Sequence, residues 1–445
     1  MENKRGSFGS KFGVVAAVAG SAVGLGNIWR FPYIAGENGG AVFIIVYLLI
    51  CLLIAIPVMI SEFAIGRHGR KNVMGSMRQV AKGKMWLSLG YLGVFAAVLI
   101  LSFYSVIAGW TLNFIVESVK GFSGMDVTAL TANFNGFVNS NEPIVWTLLF
   151  LALTAVIVLC GVEKGIERSS KIMMPMLVLM LLGMSIYSLF LPGFGEAFRF
   201  LFKPDFSKMT WDVVLQALGQ SFFSMSVGMG TMITYGSYIK DKENLYGVGA
   251  TVALSDVLIA FLAGVAIFPA VFTFGIAPTS GSELVFLTLP SVFSQIPAGQ
   301  LLSFVFFVLL FFAAITSAIS LLEVPVAYLT EEFNIKRKWA VVMGFVVIGA
   351  LSVFCTLSLQ DGSSLVVGGD SLFDFFDKFT SNIMLPVGGI LVSVFVGWFM
   401  DKKLRYDQFT NQGQCAVKLY KFLVFLVKFV VPVAISILFI SKNLF

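Results

Sequence analysis

The chain has 445 residues, 58% of them hydrophobic and only 12% charged, with a mean hydropathy of +0.92, whereas soluble domains carry about 25% charged residues. That balance excludes a soluble globular protein and predicts an all-α polytopic membrane protein. The net charge of +6 raises the question of a nucleic-acid partner, which the placement of the basic residues answers.

Apolar segments long enough to cross a bilayer, at about 20 residues each, recur about eleven times, near 11–35, 41–66, 86–118, 145–161, 166–191, 211–239, 247–274, 300–330, 339–358, 371–400 and 416–441. With loops assigned alternately to the two sides, 22 of the 30 Lys and Arg fall on the side of the N-terminus, six of them between Arg67 and Lys84 with no acid among them. Only Lys120, Arg199, Lys203 and Lys208 fall in the opposite loops. This is the positive-inside bias, which predicts a cytoplasmic N-terminus and, for an odd span count, a C-terminus outside. The basic charge reads as topology, and no nucleic-acid partner is expected. Short outer loops fit a bacterial inner (plasma) membrane.

Span one holds "AGSAVGLGNIWRFPY", Ala19 to Tyr33, with three glycines, Asn27 and Arg30 in an otherwise apolar run. Gly20 and Gly24 make a small-xxx-small pair that serves close helix packing. Span six repeats the pattern, however: Ser226-Val227-Gly228-Met229-Gly230-Thr231 mirrors Ala22-Val23-Gly24-Leu25-Gly26-Asn27. Two matching breaks five spans apart predict an internal repeat, and an odd number of spans per unit inverts the second copy. The expected layout is a first five-span repeat over 1–191, a second, inverted one over 192–400, and span eleven in 401–445 outside the repeat. Paired interruptions of this kind point to a mid-membrane site in a secondary transporter.

The break itself indicates the ligand. Backbone groups freed within lipid must line a cavity or be buried in protein. Amides at a half-helix N-terminus attract an anion, and unwound carbonyls suit a cation or ammonium. Such a site takes both ends of a zwitterion, of which an amino acid is the simplest, while hard oxygen donors nearby suit an alkali cation.

Little else in the chain competes. His68 is the sole histidine and sits in the basic loop, so no transition-metal site is expected. "GSAVGLGN" lacks the Lys-Ser/Thr ending of a phosphate loop. Cys51, Cys160 and Cys355 lie in or beside apolar runs and Cys415 in the last inner loop, which reads as packing rather than a disulfide framework. The basic start before "FGVVAAVAGSA" imitates a signal peptide, but the apolar pattern resumes through "IWRFPYIAG". An intramembrane enzyme needs a nucleophile and a base at the break, and neither His nor Cys is there. A channel needs a continuous polar path, whereas these polar groups converge on one level.

The stretches "KRGSFGSKFG", "AVGLGNIWRFPY", "ENGG", "GIERSSKIMMP", "GQSFFSMSVGMG", "FFAAITSAIS" and "FDKFTSN", spread over spans one to ten, resemble the bacterial members of the neurotransmitter:sodium symporter family, which have the leucine-transporter fold. The resemblance implies a sodium-coupled symporter of a small-molecule amino acid, embedded in the lipid bilayer and working by alternating access, with two Na+ ions and no obligatory protein partner. It implies one sodium position at the Ala22 carbonyl, Asn27, Ser224 and Asp256, completed by the substrate carboxylate. A second is implied at the carbonyls of Gly20, Val23 and Ala313 with the hydroxyls of Thr316 and Ser317. "AAITSAIS" also reads as small-residue packing with hydroxyls bonded to their own helix.

By the same resemblance, amides near Leu25 and Gly26 and the Tyr104 hydroxyl would take the carboxylate, and carbonyls of Ala22, Phe223 and Ser226 the ammonium. Gly24 stands where amine-transporting relatives carry an acid, which implies a substrate bringing its own carboxylate. Ile100, Phe223, Met229, Ser320 and Leu321 would form a pocket without charge for a hydrophobic or aromatic L-amino acid, with leucine-like and tyrosine-like substrates both open. Asp256 departs from the Asn usual in the family, and a register shift of one would put Ser255 there instead. Tyr47, Gln220 and Ser224 match positions around the chloride of chloride-dependent relatives, so a fixed carboxylate implies chloride independence, with proton counter-movement open. Arg30 and Asp377 would gate the outer side above Tyr104 and Phe223. Arg5 and Glu331 would gate the inner side with Tyr238 and Phe8, the last standing where relatives often carry Trp. Gly165 and Pro175 match the spacing at which span five is thought to unwind. The alternative function is a non-transporting amino-acid sensor with the same fold.

Overall fold

The computed structural model describes residues 6–121, 127–275, 284–295, 298–414 and 417–444. Among these, nine helices are long and apolar enough to cross a membrane, and ten if the bent pair Lys11–Ala22 and Gly26–Glu37 counts as one. That pair is span one. Span two is Ala41–Gly69, three Lys84–Lys120, four Glu142–Leu159 and five Val162–Ser188. Span seven is Leu245–Thr273, eight Gly299–Glu332, nine Arg337–Ser358, ten Leu372–Phe399 and eleven Lys418–Phe439. The segment expected as span six consists of two pieces, Trp211–Ser224 and Thr231–Gly236, neither of membrane length alone. Among the described residues the architecture is all-α apart from one pair of two-residue strands, Val366–Val367 with Asp370–Ser371, before span ten.

Side-chain caps set several helix starts by occupying amides that have no partner within the helix. Ser10 accepts from the Gly13 amide at 3.0 Å at the head of span one, Thr210 from Val213 at 3.3 Å in span six, and Asn244 from Tyr246 at 3.0 Å in span seven. Short helices also occupy loops between spans: Val73–Val80, Val127–Val138, Phe194–Phe202 and Lys402–Phe409.

Spans three and eight pack together extensively and are the most enclosed, with 78% of each apolar window buried against 33% for spans five and eleven. The outer spans turn Leu153, Val156, Phe422 and Phe425 outward, as helices facing lipid must. Span one lies against spans five, seven and eight, and both pieces of span six lie against span two. The interrupted helices are thus walled by continuous ones, where protein rather than lipid meets their freed backbone. Cys51 and Cys355 are buried, as packing residues are, but Cys160 is exposed and packing does not account for it. Cys415 lies outside the described residues.

Candidate functional site

The first helix of span one ends at Ala22, and the chain resumes at Gly26 in a wide turn bent by 46°. Side chains take up the backbone groups this frees. The Gly24 amide donates to Asn27 Oδ1 and the Leu25 amide to the Tyr104 hydroxyl, both at 3.1 Å. The Gly26 carbonyl accepts from Gln220 Nε2 at 2.6 Å, and the Ser21 carbonyl from Ser226 Oγ at 2.8 Å.

In span six the break runs from Met225 to Gly230, with Ser226 at φ +53°, Gly228 at +84° and Gly230 at +75°. At Gly228 a β-carbon would also strike the Leu385 carbonyl, so glycine is required twice over. The Gly228 amide donates to Glu62 Oε1 at 2.7 Å. Glu62, fully buried in span two, was missed in the sequence reading. Its signal was present: a lone acid in the apolar run "IPVMISEFAIG" is a functional hypothesis by default.

Asp256 sits beside both breaks and is fully buried. Asn27 Nδ2 reaches its Oδ1 at 2.8 Å and its carbonyl at 3.0 Å, Ser224 Oγ donates to Oδ1 at 2.5 Å, and the Tyr47 hydroxyl donates to Oδ2 at 2.7 Å. Ser255, the alternative by register, instead donates to the Thr251 carbonyl of its own helix at 2.8 Å. Asp256 is therefore the residue that meets Asn27 and Ser224.

The second oxygen cluster lies where spans one and eight meet. Ser317 Oγ approaches the Gly20 carbonyl at 3.3 Å and that of Ser21 at 3.1 Å. Thr316 Oγ1 donates within its own helix, to the Ala313 carbonyl at 3.1 Å and to that of Phe312 at 2.9 Å. Val23 directly follows the helix end, its amide on the Ala19 carbonyl at 2.6 Å. Neutral oxygens of this kind are hard donors suited to an alkali cation.

Between the breaks lies a cavity of about 20 Å³, lined by Ala22, Gly24, Gly26, Ile100, Tyr104, Phe223, Ser224, Ser226, Met229 and Leu321. A space that small holds about one water, so a larger ligand requires movement of its walls. Next to the cavity Leu25 presents its amide to Tyr104, and Ser320 donates to the Ser317 carbonyl while accepting from Ser21 Oγ, both at 2.7 Å. Ser21 and Ser317 also line it. A β-carbon on Gly24 would strike Ser317 Oγ and come within 3.0 Å of the Tyr104 hydroxyl. A side chain at this position would therefore have to displace the Ser317 and Tyr104 hydroxyls.

Residues 5–124 and 120–444 match the model of the sodium:neurotransmitter symporter family. The chain belongs to this family. An uncharacterized sodium-dependent transporter of Bacillus subtilis (strain 168), YhdH, is 38% identical over 442 residues, covering 99% of this chain and 98% of that one. The bovine sodium-dependent dopamine transporter is 25% identical over 452 residues, covering 89% of this chain and 63% of that one. The crystal structure of MhsT in complex with L-phenylalanine superposes with a TM-score of 0.93 at 42% identity, covering 98% of this chain and 99% of that chain. The fold is thus the leucine-transporter fold, and the sodium:neurotransmitter symporters are multi-pass membrane transporters that use sodium, not enzymes.

Two charged clusters flank the site of this symporter. On one side Arg30, 4% exposed, lies 3.5 Å from Asp377, donates to Gln220 Oε1 at 3.1 Å and covers the Phe223 ring at 4.9 Å. On the other, Phe8 meets Tyr235 and Tyr238 edge-on at 5.8 and 6.0 Å. Arg5 lies outside the described residues, and Glu331 accepts from the Asn72 amide at 2.7 Å. Beside Phe8, the Tyr238 hydroxyl donates to Glu323, at 2.7 Å, and Arg337 holds the same carboxylate. Glu323, like Glu62, is an acid in an apolar run that was passed over. Span five is helical through Pro175, with a wide turn over Val162–Glu167.

Proposed function

We propose that the protein is a sodium-coupled symporter of a hydrophobic or aromatic L-amino acid, working by alternating access at the cavity between the two breaks. The observation that carries this reading is the pairing of the Leu25 amide and the Tyr104 hydroxyl it meets with an uncharged wall of Ile100, Phe223, Met229 and Leu321. The amide and hydroxyl suit a carboxylate, the carbonyls of Ala22, Phe223 and Ser226 an ammonium, and the wall an apolar side chain that Met229 accommodates by its flexibility. The L-phenylalanine bound to MhsT is a ligand of the expected kind.

Two sodium ions accompany the substrate. One takes Ala22, Asn27, Ser224, Asp256 and the substrate carboxylate, which makes the amino acid itself part of the ion site. The other takes Gly20, Val23, Ala313, Thr316 and Ser317. The Asp256 carboxylate, held by Tyr47 and Ser224, supplies the fixed negative charge that makes chloride unnecessary. Arg30 with Asp377 closes the outer gate, and Arg5 with Glu331, backed by Phe8 and Tyr238, the inner one. Spans one to five and six to ten form the inverted repeat, and the N-terminus faces the cytoplasm of a bacterial plasma membrane, as the basic loops favour.

Uptake of radiolabelled leucine, tyrosine and tryptophan into proteoliposomes, with and without an inward sodium gradient and with and without chloride, tests this. Concentrative uptake that needs sodium and not chloride is expected. Sodium-dependent binding without accumulation supports the sensor instead, and chloride-stimulated uptake overturns the role of Asp256.

A further inference from the structure

Away from the mid-membrane site, a cavity of about 380 Å³ opens where the end of span three meets the helix Val127–Val138 and the start of span four. Span three is one continuous helix from Leu87 to Lys120, so Asn113 on this cavity stands about 13 Å along the axis from Tyr104, at 1.5 Å per residue. The volume falls within the range of small-molecule sites.

The walls are aromatic and acidic together. Phe114 and Phe286 lie 5.3 Å apart, and Phe134 stacks on Phe286 at 6.5 Å, while Glu117 and Glu142 bring carboxylates to the same lining. The base beside them is Lys120, which reaches Glu117 at 2.6 Å with 65% of its side chain exposed. An exposed pair of this kind holds weakly, and a cation arriving in the cavity replaces it on Glu117.

Asn113 points independently to a ligand. It is 8% exposed, lines the cavity, and has no side-chain hydrogen bond among the described residues. Its amide therefore keeps its donor and acceptor for an occupant of the cavity, where a bound N–H group meets its carbonyl oxygen. Behind it the Trp110 indole packs edge-on against Phe134 and Phe286 at 5.3 and 5.5 Å, which holds the rings in place.

From these walls we infer a second binding site, for an organic ammonium ion with an aromatic or alkyl body and no carboxylate. Ring faces and carboxylates attract the ammonium, the rings cover its apolar body, and Glu117 with Glu142 repels an anion. A zwitterionic amino acid is therefore a poor occupant, in contrast to the mid-membrane cavity.

Isothermal titration of phenethylamine and of L-phenylalanine into purified full-length protein tests the inference, and because it reads binding rather than uptake it fails or succeeds independently of the transport reading. Phenethylamine is expected to bind saturably, at least tenfold more weakly to Glu142→Gln and Asn113→Leu, and with unchanged affinity to Ile100→Ala and Leu321→Ala. Glu142 is exposed at a helix start, so its isosteric replacement leaves folding intact, as a monodisperse gel-filtration profile verifies. Absence of phenethylamine binding overturns the inference. So does binding that tracks the mid-membrane variants, or L-phenylalanine binding that Glu142→Gln alters as much as it alters amine binding.

Discussion

The Tyr238 hydroxyl donates to Glu323 Oε1 at 2.7 Å. Arg337 grips both oxygens of that carboxylate, Nη1 donating to the same Oε1 at 3.0 Å and Nη2 to Oε2 at 2.5 Å, and Nη2 also donates to the Val158 carbonyl at 2.7 Å. One buried acid thereby ties the segment after span six to spans eight, nine and four.

Removing one partner of a buried ion pair leaves a charge without compensation, at about 3–5 kcal/mol, whereas losing one hydrogen bond to a charged acceptor costs about 1.5–3 kcal/mol. Arg337→Ala is accordingly expected to lower the thermal unfolding midpoint in detergent more than Tyr238→Phe does. Equal shifts mean that Glu323 does not carry its charge in the folded protein. Because Tyr238 belongs to the inner gate in the proposed cycle, Tyr238→Phe is also expected to reduce steady-state accumulation several-fold while exchange continues.

Asp256→Asn keeps the side chain's shape and its contact with Asn27 while deleting the charge that Tyr47 and Ser224 support. Without chloride, sodium-driven uptake is expected to fall at least tenfold, and chloride is expected to restore part of it. Wild-type uptake rates for the Asn variant in chloride-free buffer rule out the charge argument.

Tyr104→Phe strips the Leu25 amide of its 3.1 Å partner and the carboxylate of a donor. A lost hydrogen bond that leaves a buried partner unpaired costs about 1–3 kcal/mol, or roughly 5- to 150-fold in affinity. Scintillation-proximity binding is expected to show that loss with the number of sites unchanged. A change below twofold places the carboxylate elsewhere.

Most of the fold was legible because lipid imposes it. Apolar runs of membrane length and the side preference of Lys and Arg need no tertiary information, and the doubled glycine pattern located both interruptions. Long-range partners were the illegible part. Nothing local in "GQSFFSMSVGMG" says that Gly228 leans on Glu62, 166 positions earlier, nor does "AAITSAIS" say that Ser320 bonds to Ser21 across the span-one contact. Glu62 and Glu323 were visible as acids in apolar runs, but their partners depend on how the spans pack. Tyr238 was assigned by resemblance to the gate of Arg5 and Glu331, and only packing shows that its hydroxyl meets Glu323.

The same dependence on packing defines a last test, at Glu62. Its Oε1 accepts the Gly228 amide at 2.7 Å, and an amide oxygen accepts equally well, so Glu62→Gln retains the contact if acceptance is the whole role. Glu62→Leu removes it and leaves an N–H unpaired inside the break, at about 1–3 kcal/mol. The Gln variant is expected to keep most of the uptake rate and unfolding midpoint, and the Leu variant to lose both. If Gln proves as damaging as Leu, the carboxyl group serves through its charge or its proton, and the span-six break responds to ionisation in span two.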